Sequence, residues 1–186
     1  MTHSNDLATL LRALAFSADK HRNQRRKDAD ASPYINHPIA LANVLAHEGA
    51  VVDVVPLAAA ILHDTVEDTN TTRAELVGHF GEEIASVVME VTDDKSLLKA
   101  ERKAAQVEHA PSLSRAAKLV KLADKISNLR DILASPPADW PNQRKLQYFE
   151  WAGRVVDGLR GVHPALEAEF DRIAATGRSR FSESEP

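Results

Sequence analysis

The sequence predicts an all-α protein, a single helical bundle of roughly eight to nine helices. Apolar residues recur every three to four positions through most of the chain, while the strict apolar–polar alternation typical of strands is nearly absent. The 186 residues are 44% hydrophobic and 27% charged, which is ordinary for one globular domain with its own core. No internal repeat or linker divides the chain, so one domain is expected.

The first half of the chain is predicted to hold five helices. Residues 6–21 place leucines on one stripe, whereas residues 22–36 are polar and basic and indicate a loop. Pro38 suits the first position of a helix, because its missing N–H would be unpaired there in any case. The expected helices are 6–21, one from about His37, one from about Pro56, one over 70–80 and one after Gly81.

The second half begins with a heavily charged helix over residues 97–108. The longest periodic stretch, 112–134, opens with a serine cap and stops at two prolines. Two more helices are expected, at about 141–161 and after Pro164. The polar end, 176–186, is predicted to be a disordered tail, which leaves 1–175 as the folded domain.

Composition excludes several classes of function. A formal net charge of −4 argues against general binding to duplex nucleic acid, which needs a broad basic face. With no cysteine, the chain has neither disulfides nor a thiolate metal site. No apolar run is long enough to span a membrane, and the N-terminus lacks the pattern of a signal peptide. A cytoplasmic protein is expected, and the oligomeric state is not indicated.

The segment ILHDTVEDT, residues 61–69, places four titratable side chains at the end of an apolar run. At about 100° per residue, His63, Asp64, Glu67 and Asp68 fall within one arc of roughly 140° on a helix. Buried charges need partners, and a divalent metal such as Mn²⁺, Fe²⁺ or Zn²⁺ suits imidazole and carboxylate ligands. The alternative is a helix end that emerges into solvent with hydrated acids, which is the commoner interpretation of an isolated His-Asp pair.

Two further residues are candidates for the same metal. His37 precedes a helix-starting proline in SPYINHPIA, where by itself it would be only a helix-entry residue. Asp124 belongs to a polar stripe with Lys121, Asn128 and Asp131, opposite an apolar side of the 112–134 helix. Periodicity alone favours a solvated face for this stripe.

The order of these residues resembles the HD phosphohydrolase superfamily, whose pattern is His, then His-Asp, then Asp. The match narrows to the RelA/SpoT-type alarmone hydrolase domain, and especially its stand-alone small form, the metazoan SpoT homolog group. The resemblance covers about residues 5–160. It depends on HRNQRRKDADASPYINHPIALANVL, AAAILHDTVEDTNTTRAELVGHFGEEI, EVTDDKSLLKAERK, LVKLADKISNLRD and YFEWA.

The resemblance implies a single HD-domain helical bundle that uses one Mn²⁺ per chain. The implied metal ligands are His37, His63, Asp64 and Asp124. Glu67 and Asp68 match the pair that positions and deprotonates the attacking water. The implied activity is hydrolysis of guanosine tetra- or pentaphosphate at the 3′ position, which gives GDP or GTP plus pyrophosphate. Because the sequence ends at residue 186, a hydrolase without a synthetase is expected.

The substrate contacts are also implied by the resemblance. Arg26 and Lys27 would flank the nucleotide, and Tyr34 would lie near the base or ribose. Asn128 would reach the ribose or a phosphate from one turn beyond Asp124. Lys99, Arg144 and Tyr148 match positions near the outer phosphates. A solvated basic loop is the alternative interpretation of KHRNQRRKD, and core packing is the interpretation that we keep for Phe149 and Trp151.

Three alternative functions stay open. The same pocket could serve as an NADPH 2′-phosphatase, because NADPH also presents a phosphate on a ribose. A non-catalytic alarmone-binding module is a second alternative, although a binder would not need Glu67 and Asp68. The third is a helical interaction scaffold whose polar clusters are surface features.

Overall fold

The computed structural model describes residues 2–28, 30–137 and 139–182. These residues contain no strand, which confirms the predicted all-α class. Within them, no helix combines the length and apolar character required to cross a bilayer. The described helices are α1 (Thr2–Lys20), α2 (Asn36–Asn43), α3 (Val54–Leu62), α4 (Thr65–Asp68), α5 (Arg73–Phe80), α6 (Glu82–Val91), α7 (Lys99–His109), α8 (Arg115–Ala134), α9 (Asn142–Asp157) and α10 (Pro164–Ser182).

Helices α3 and α8 form the centre of the molecule. Every residue of α3 from Pro56 to Leu62 is buried, and α3 packs against α1, α2, α6 and α8. Helix α8 in turn packs against α2, α3, α6, α9 and α10. A helix that is apolar all round must be covered on every side. The C-terminal end of α3 therefore faces α8 inside the protein.

The chain breaks its helix between α3 and α4, which corrects the expectation of one helical arc through residues 63–68. Side chains take up carbonyls of the last turn of α3: His63 Nδ1 bonds Ala60 O at 2.9 Å, and Thr65 Oγ1 donates to Leu62 O at 2.7 Å. Such bonds compete with the backbone ladder. Asp64 accordingly has φ −98° and ψ 0°, and the extra break raises the expected eight or nine helices to ten in the described residues.

The loop between α1 and α2 folds back on itself. The backbone N–H of Arg26 donates to Ser32 O at 2.9 Å, and that of Tyr34 donates to Gln24 O at 3.1 Å. The Asp28 carboxylate also accepts from the backbone N–H of Ser32 at 2.9 Å. The described residues of the predicted basic loop, 22–28 and 30–35, thus form an arch at the start of α2.

The predicted disordered tail is wrong for residues 176–182, because α10 continues to Ser182. Gly177 and Phe181 are buried, and the Phe181 ring packs edge-on against Phe149 with centroids 5.7 Å apart. One aromatic and one glycine at helical spacing are enough to dock this polar segment on α9. Residues 183–186 of the predicted tail lie outside the described residues.

Candidate active site

Three of the four predicted metal ligands form a compact cluster. One ligand atom from each of His37, His63 and Asp124 lies within 4.8 Å of the others. His37 stands in the first turn of α2, His63 follows α3, and Asp124 lies in the middle of α8. His37 Nε2 is 3.3 Å from Asp124 Oδ1, and the two imidazole centroids are 5.3 Å apart. Asp64 adjoins the cluster, since its Oδ2 is 2.8 Å from His63 Nε2.

The imidazoles of this cluster have nitrogens that the protein does not satisfy. His37 Nδ1 and His63 Nε2 are buried without a geometric hydrogen-bond partner, although Asp64 Oδ2 forms an ion pair with His63 Nε2 at 2.8 Å. The other nitrogen of His63 bonds a backbone carbonyl, which is the usual second contact of a metal-binding histidine. Two imidazoles with unused nitrogen lone pairs, together with two carboxylates, fit a divalent transition metal.

The acidity of most of these groups also suits metal binding. Burial lowers the pKa of His37, which favours the neutral imidazole. Burial acts in the same direction on His63, but the Asp64 carboxylate raises the pKa of His63 above its ordinary value, so a metal would displace a proton there. Burial opposes ionisation of Asp64, but His63 lowers its pKa below the ordinary value. Burial likewise opposes ionisation of Asp124, and Lys125 holds its pKa well below the ordinary value. Neutral imidazole and ionised carboxylate are the states that bind a metal.

Glu67 and Asp68 lie one helical turn beyond His63 and Asp64. Burial raises the pKa of Glu67 to about 6, with Asp93 and Asp64 adding to the effect, while the backbone N–H of Asp93 donates to Glu67 Oε2 at 3.3 Å. Asp68 is held from two sides, because Gln24 Nε2 donates to its Oδ2 at 2.9 Å and Lys95 donates to its Oδ1.

Helix α8 presents a polar stripe to this cluster. Lys121, Asp124, Lys125 and Asn128 follow one another at helical spacing and line the same cavity. Lys125 Nζ donates to Asp124 Oδ2 at 2.9 Å, and Asn128 Nδ2 donates to Asp124 Oδ1 at 2.6 Å. Asp124 and Lys125 are buried, so the solvated-face interpretation of this part of the stripe is wrong.

Two neighbouring cavities, which share lining side chains, lie at the cluster. The smaller, of about 210 Å³, contains the metal-ligand candidates together with Glu67 and Asp68. The larger, of about 500 Å³, lies between the arch and the second half of α8. That volume falls in the range of small-ligand pockets. The residues that line both cavities are Arg26, Tyr34, His37, Asp68, Asn128 and Tyr148.

Comparison with known proteins agrees with this geometry. The HD domain family model matches residues 13–148. The MESH1 proteins of Xenopus tropicalis and Homo sapiens, both named guanosine-3′,5′-bis(diphosphate) 3′-pyrophosphohydrolase, are 54% and 55% identical to the chain. Each alignment covers 91% of this chain, with 95% of the Xenopus protein and 94% of the human one. This chain belongs to the MESH1 family of HD domain proteins.

Similarity to solved structures supports the same family assignment. A metazoan ortholog of SpoT that hydrolyses ppGpp superimposes with a TM-score of 0.88 at 46% identity, over 91% of this chain and 95% of that one. A Listeria monocytogenes protein of known structure gives a TM-score of 0.64 at 28% identity, over 77% and 99% of the two chains. The resemblance inferred from the motifs is confirmed.

The substrate contacts expected from the family are only partly gathered at the cavities. Lys27 lines the larger cavity. Lys99 and Arg144 line neither cavity: Lys99 is exposed at the start of α7, and the Arg144 guanidinium lies 4.3 Å from the centroid of the Trp140 ring. Their contact with outer phosphates stays a prediction.

Other residues of the site were not singled out from the sequence. His21 is buried, stacks on Tyr34 with centroids 4.8 Å apart, and bonds Gln24 Oε1 at 2.6 Å, so that it supports the contact between Gln24 and Asp68. Lys125 lies 4.4 Å from the centroid of the Trp151 ring, a residue that is buried as expected but also lines the smaller cavity. A polar side chain within a buried stretch is the only sequence signal for them.

Proposed function

We propose that this protein is a metal-dependent hydrolase that removes pyrophosphate from the 3′ position of guanosine tetra- or pentaphosphate. The observation that supports this most directly is the connection of a His/Asp cluster to a cavity of about 500 Å³ through shared side chains. A nucleoside fits the larger cavity, and the diphosphate on its ribose can then enter the smaller one. The names of the MESH1 relatives supply the substrate class.

We assign the metal to His37, His63, Asp64 and Asp124, and we propose Mn²⁺, one per chain, on the basis of the family. Several divalent metals accept two nitrogen and two oxygen ligands, so the donor set alone selects no single one. When bound, such a metal lowers the pKa of a water molecule and withdraws charge from a phosphoryl group. Lys125 and Asn128 orient the Asp124 carboxylate from both of its oxygens.

Glu67 and Asp68 are assigned to the attacking water. Glu67 is the general base, because a pKa of about 6 leaves it ionised at neutral pH yet basic enough to take a proton. Asp68 orients the water, and Gln24 and Lys95 fix its carboxylate. The presence of this pair favours an enzyme over a binding module.

The reaction balances without a redox partner. The oxygen of water forms a bond to the phosphorus that carries the ribose 3′ oxygen, and Glu67 takes a proton from that water. The bond between this phosphorus and the 3′ oxygen breaks, and the 3′ oxygen becomes a hydroxyl by taking a proton from solvent, while Glu67 returns its own proton to solvent before the next turnover. GDP or GTP and pyrophosphate leave the site.

The nucleoside is assigned to the larger cavity. Arg26 and Tyr34 lie together at its junction with the metal cluster, with the guanidinium 5.8 Å from the ring centroid, and Arg26 is paired with Asp131 at 2.5 Å. Tyr148 and Asn128 line the opposite wall, while Lys27 adds a cation on the arch. Aromatic faces and a planar cation suit a purine base. A cytoplasmic location remains a prediction.

Parallel turnover assays with guanosine tetraphosphate and NADPH test the proposal. With Mn²⁺ present, the protein should release pyrophosphate from the alarmone, and the Asp64→Ala variant should not. Faster release of orthophosphate from NADPH would support the assigned site but would identify NADPH as the substrate. Failure to turn over either compound would overturn the proposal in favour of a binding function.

A further inference from the structure

One divalent metal would nearly balance the charge of the smaller cavity before any substrate enters. Among the described residues that line it, five carboxylates stand against three cationic side chains, Arg26, Lys121 and Lys125. With neutral imidazoles, the excess of two negative charges equals the charge of one divalent metal. A diphosphate group brings further negative charge into this small space. Its binding therefore depends on lining cations that are not already engaged by protein groups.

Two of the three cations are already engaged. Arg26 donates to Asp131 at 2.5 Å, at the mouth of the larger cavity. Lys125 donates to Asp124 at 2.9 Å and to Gln106 at 3.0 Å, and it also lies over the Trp151 ring. Lys125 thus has its ammonium directed at protein groups inside the smaller cavity, and Arg26 has Nη2 paired with a carboxylate outside it.

Lys121 differs from both. Its nearest described carboxylate is Asp93, whose Oδ1 is 3.7 Å from Nζ, too far for a hydrogen bond. Asp93 itself is bonded by Gln106 at 2.5 Å. The Lys121 side chain is 12% exposed, so little bulk water reaches it. A buried ammonium without a close hydrogen bond is costly unless a ligand supplies acceptors.

Lys121 lies on the side of α8 that faces the candidate metal cluster, where the substrate diphosphate would bind. It precedes Asp124 by three residues on α8, so the two side chains share one face. It lines the same cavity as the four metal-ligand candidates and Glu67. An anionic group bound to a metal at that cluster would be within reach of a lysine side chain on the same face.

We propose that Lys121 donates hydrogen bonds to non-bridging oxygens of the diphosphate at the metal cluster, as a catalytic residue that neutralises charge on the attacked diphosphate while its bond to the ribose 3′ oxygen breaks. This rests on the proposed function for the identity of the reacting group. The family match pointed to Lys99 and Arg144 for phosphates, yet neither lines the cavity. Lys121 is the cation inside it that remains available.

The test uses Lys121→Met, with Lys118→Met as a matched control on the same helix, because Lys118 lines none of the cavities. Two quantities are measured on the Mn²⁺-loaded proteins: turnover of guanosine tetraphosphate, and affinity for inorganic pyrophosphate by calorimetry. Turnover of Lys121→Met should fall about 100-fold, as for loss of one donor to a developing charge. Its pyrophosphate affinity should fall about tenfold or more, and its metal content should not change. The control should match the wild type in both.

A merely structural role would give a different pattern. If Lys121 only steadied Asp93 and through it Glu67, Lys121→Met would keep wild-type affinity for pyrophosphate and would share the pH profile of Asp93→Asn. That result overturns the proposal. Should Lys121→Met fail to fold, Lys121→Gln, which keeps a polar side chain but removes the charge, takes its place: turnover and pyrophosphate affinity should still fall, and wild-type affinity would overturn the proposal.

Different results would overturn the role of Lys121 and the proposed alarmone hydrolase function. A wild-type protein that does not hydrolyse the alarmone overturns the proposed function, while the pyrophosphate titration still decides whether Lys121 binds a diphosphate. Hydrolysis that is retained in Lys121→Met, together with unchanged pyrophosphate affinity, overturns only the role of Lys121.

Discussion

The surroundings of Glu67 raise its pKa above that of an exposed glutamate. Burial raises its pKa first, and the carboxylates of Asp93, Asp64 and Asp68 add to the rise, against one backbone N–H that lowers it. Taken together, these place the pKa at about 6, where an exposed glutamate would be near 4.3. A base of this acidity works close to neutral pH.

We expect turnover to fall as pH drops through about 6, because protonated Glu67 cannot accept a proton from water. The measurement is kcat against pH at saturating Mn²⁺, with metal content measured in parallel to separate loss of the base from loss of the metal. In Asp93→Asn, one of the charges that raise the pKa is absent, so the acidic limb should move to lower pH. An acidic limb that stays in place in Asp93→Asn would count against Glu67 as the titrating base.

At this scale the sequence predicts more of the candidate metal site than of its support. The family resemblance implies His37, His63 and Asp124 as ligands of one metal, and the structure brings one ligand atom of each within 4.8 Å of the others. Gln24 could not be predicted, because its contact with Asp68 joins residues 44 apart through the folding of the arch. The exposed position of Lys99 could not be predicted either, because a motif match does not show whether a side chain points into the cavity.

Among the secondary-structure elements, α10 shows how a polar sequence can hide a packing surface. A Cβ built on Gly177 would lie 1.9 Å from Cε1 of Phe149, so glycine is what lets α10 approach α9. The segment around it reads TGRSRFSESEP, with one aromatic residue. Composition therefore predicted disorder where one glycine and one phenylalanine dock a helix.

Gly177→Ala should lower the free energy of unfolding by about 2 kcal/mol or more, because overpacking displaces Phe149 from its site. Urea unfolding measures this. Gly153→Ala is the matched control, since its added Cβ would meet nothing within 4 Å in α9 and should stabilise by about 0.5–1 kcal/mol. Equal stability of Gly177→Ala and the wild type would mean that α10 does not pack on Phe149.

In the whole molecule, the candidate metal cluster connects segments that are distant in the chain. The proposed ligands come from the start of α2, the break after α3 and the middle of α8, which together form the centre of the bundle. The break after α3 could not be predicted from periodicity, because helical spacing continues through it. The overall class was predictable, since α3 and α8 have the patterns of buried helices.

Removal of the metal should destabilise the entire fold, because binding to the native state alone adds RT ln(1 + [metal]/Kd). At 1,000 times Kd this is about 4 kcal/mol, or about 10 °C in Tm for a domain of this size. Thermal unfolding before and after chelation measures the shift. The Tm of Asp124→Asn should respond weakly to added Mn²⁺. A wild-type Tm that is insensitive to chelation and to added Mn²⁺ would support the scaffold alternative.

The most direct test of the central claim is pyrophosphate release from guanosine tetraphosphate by Glu67→Gln, with the metal content of the same sample measured alongside. The substitution keeps size and removes the base, while His37, His63, Asp64 and Asp124 are untouched. We predict one bound metal per chain, as in the wild type, and turnover reduced at least about 100-fold. Wild-type turnover by a metal-loaded Glu67→Gln would contradict the assignment of this site and its chemistry.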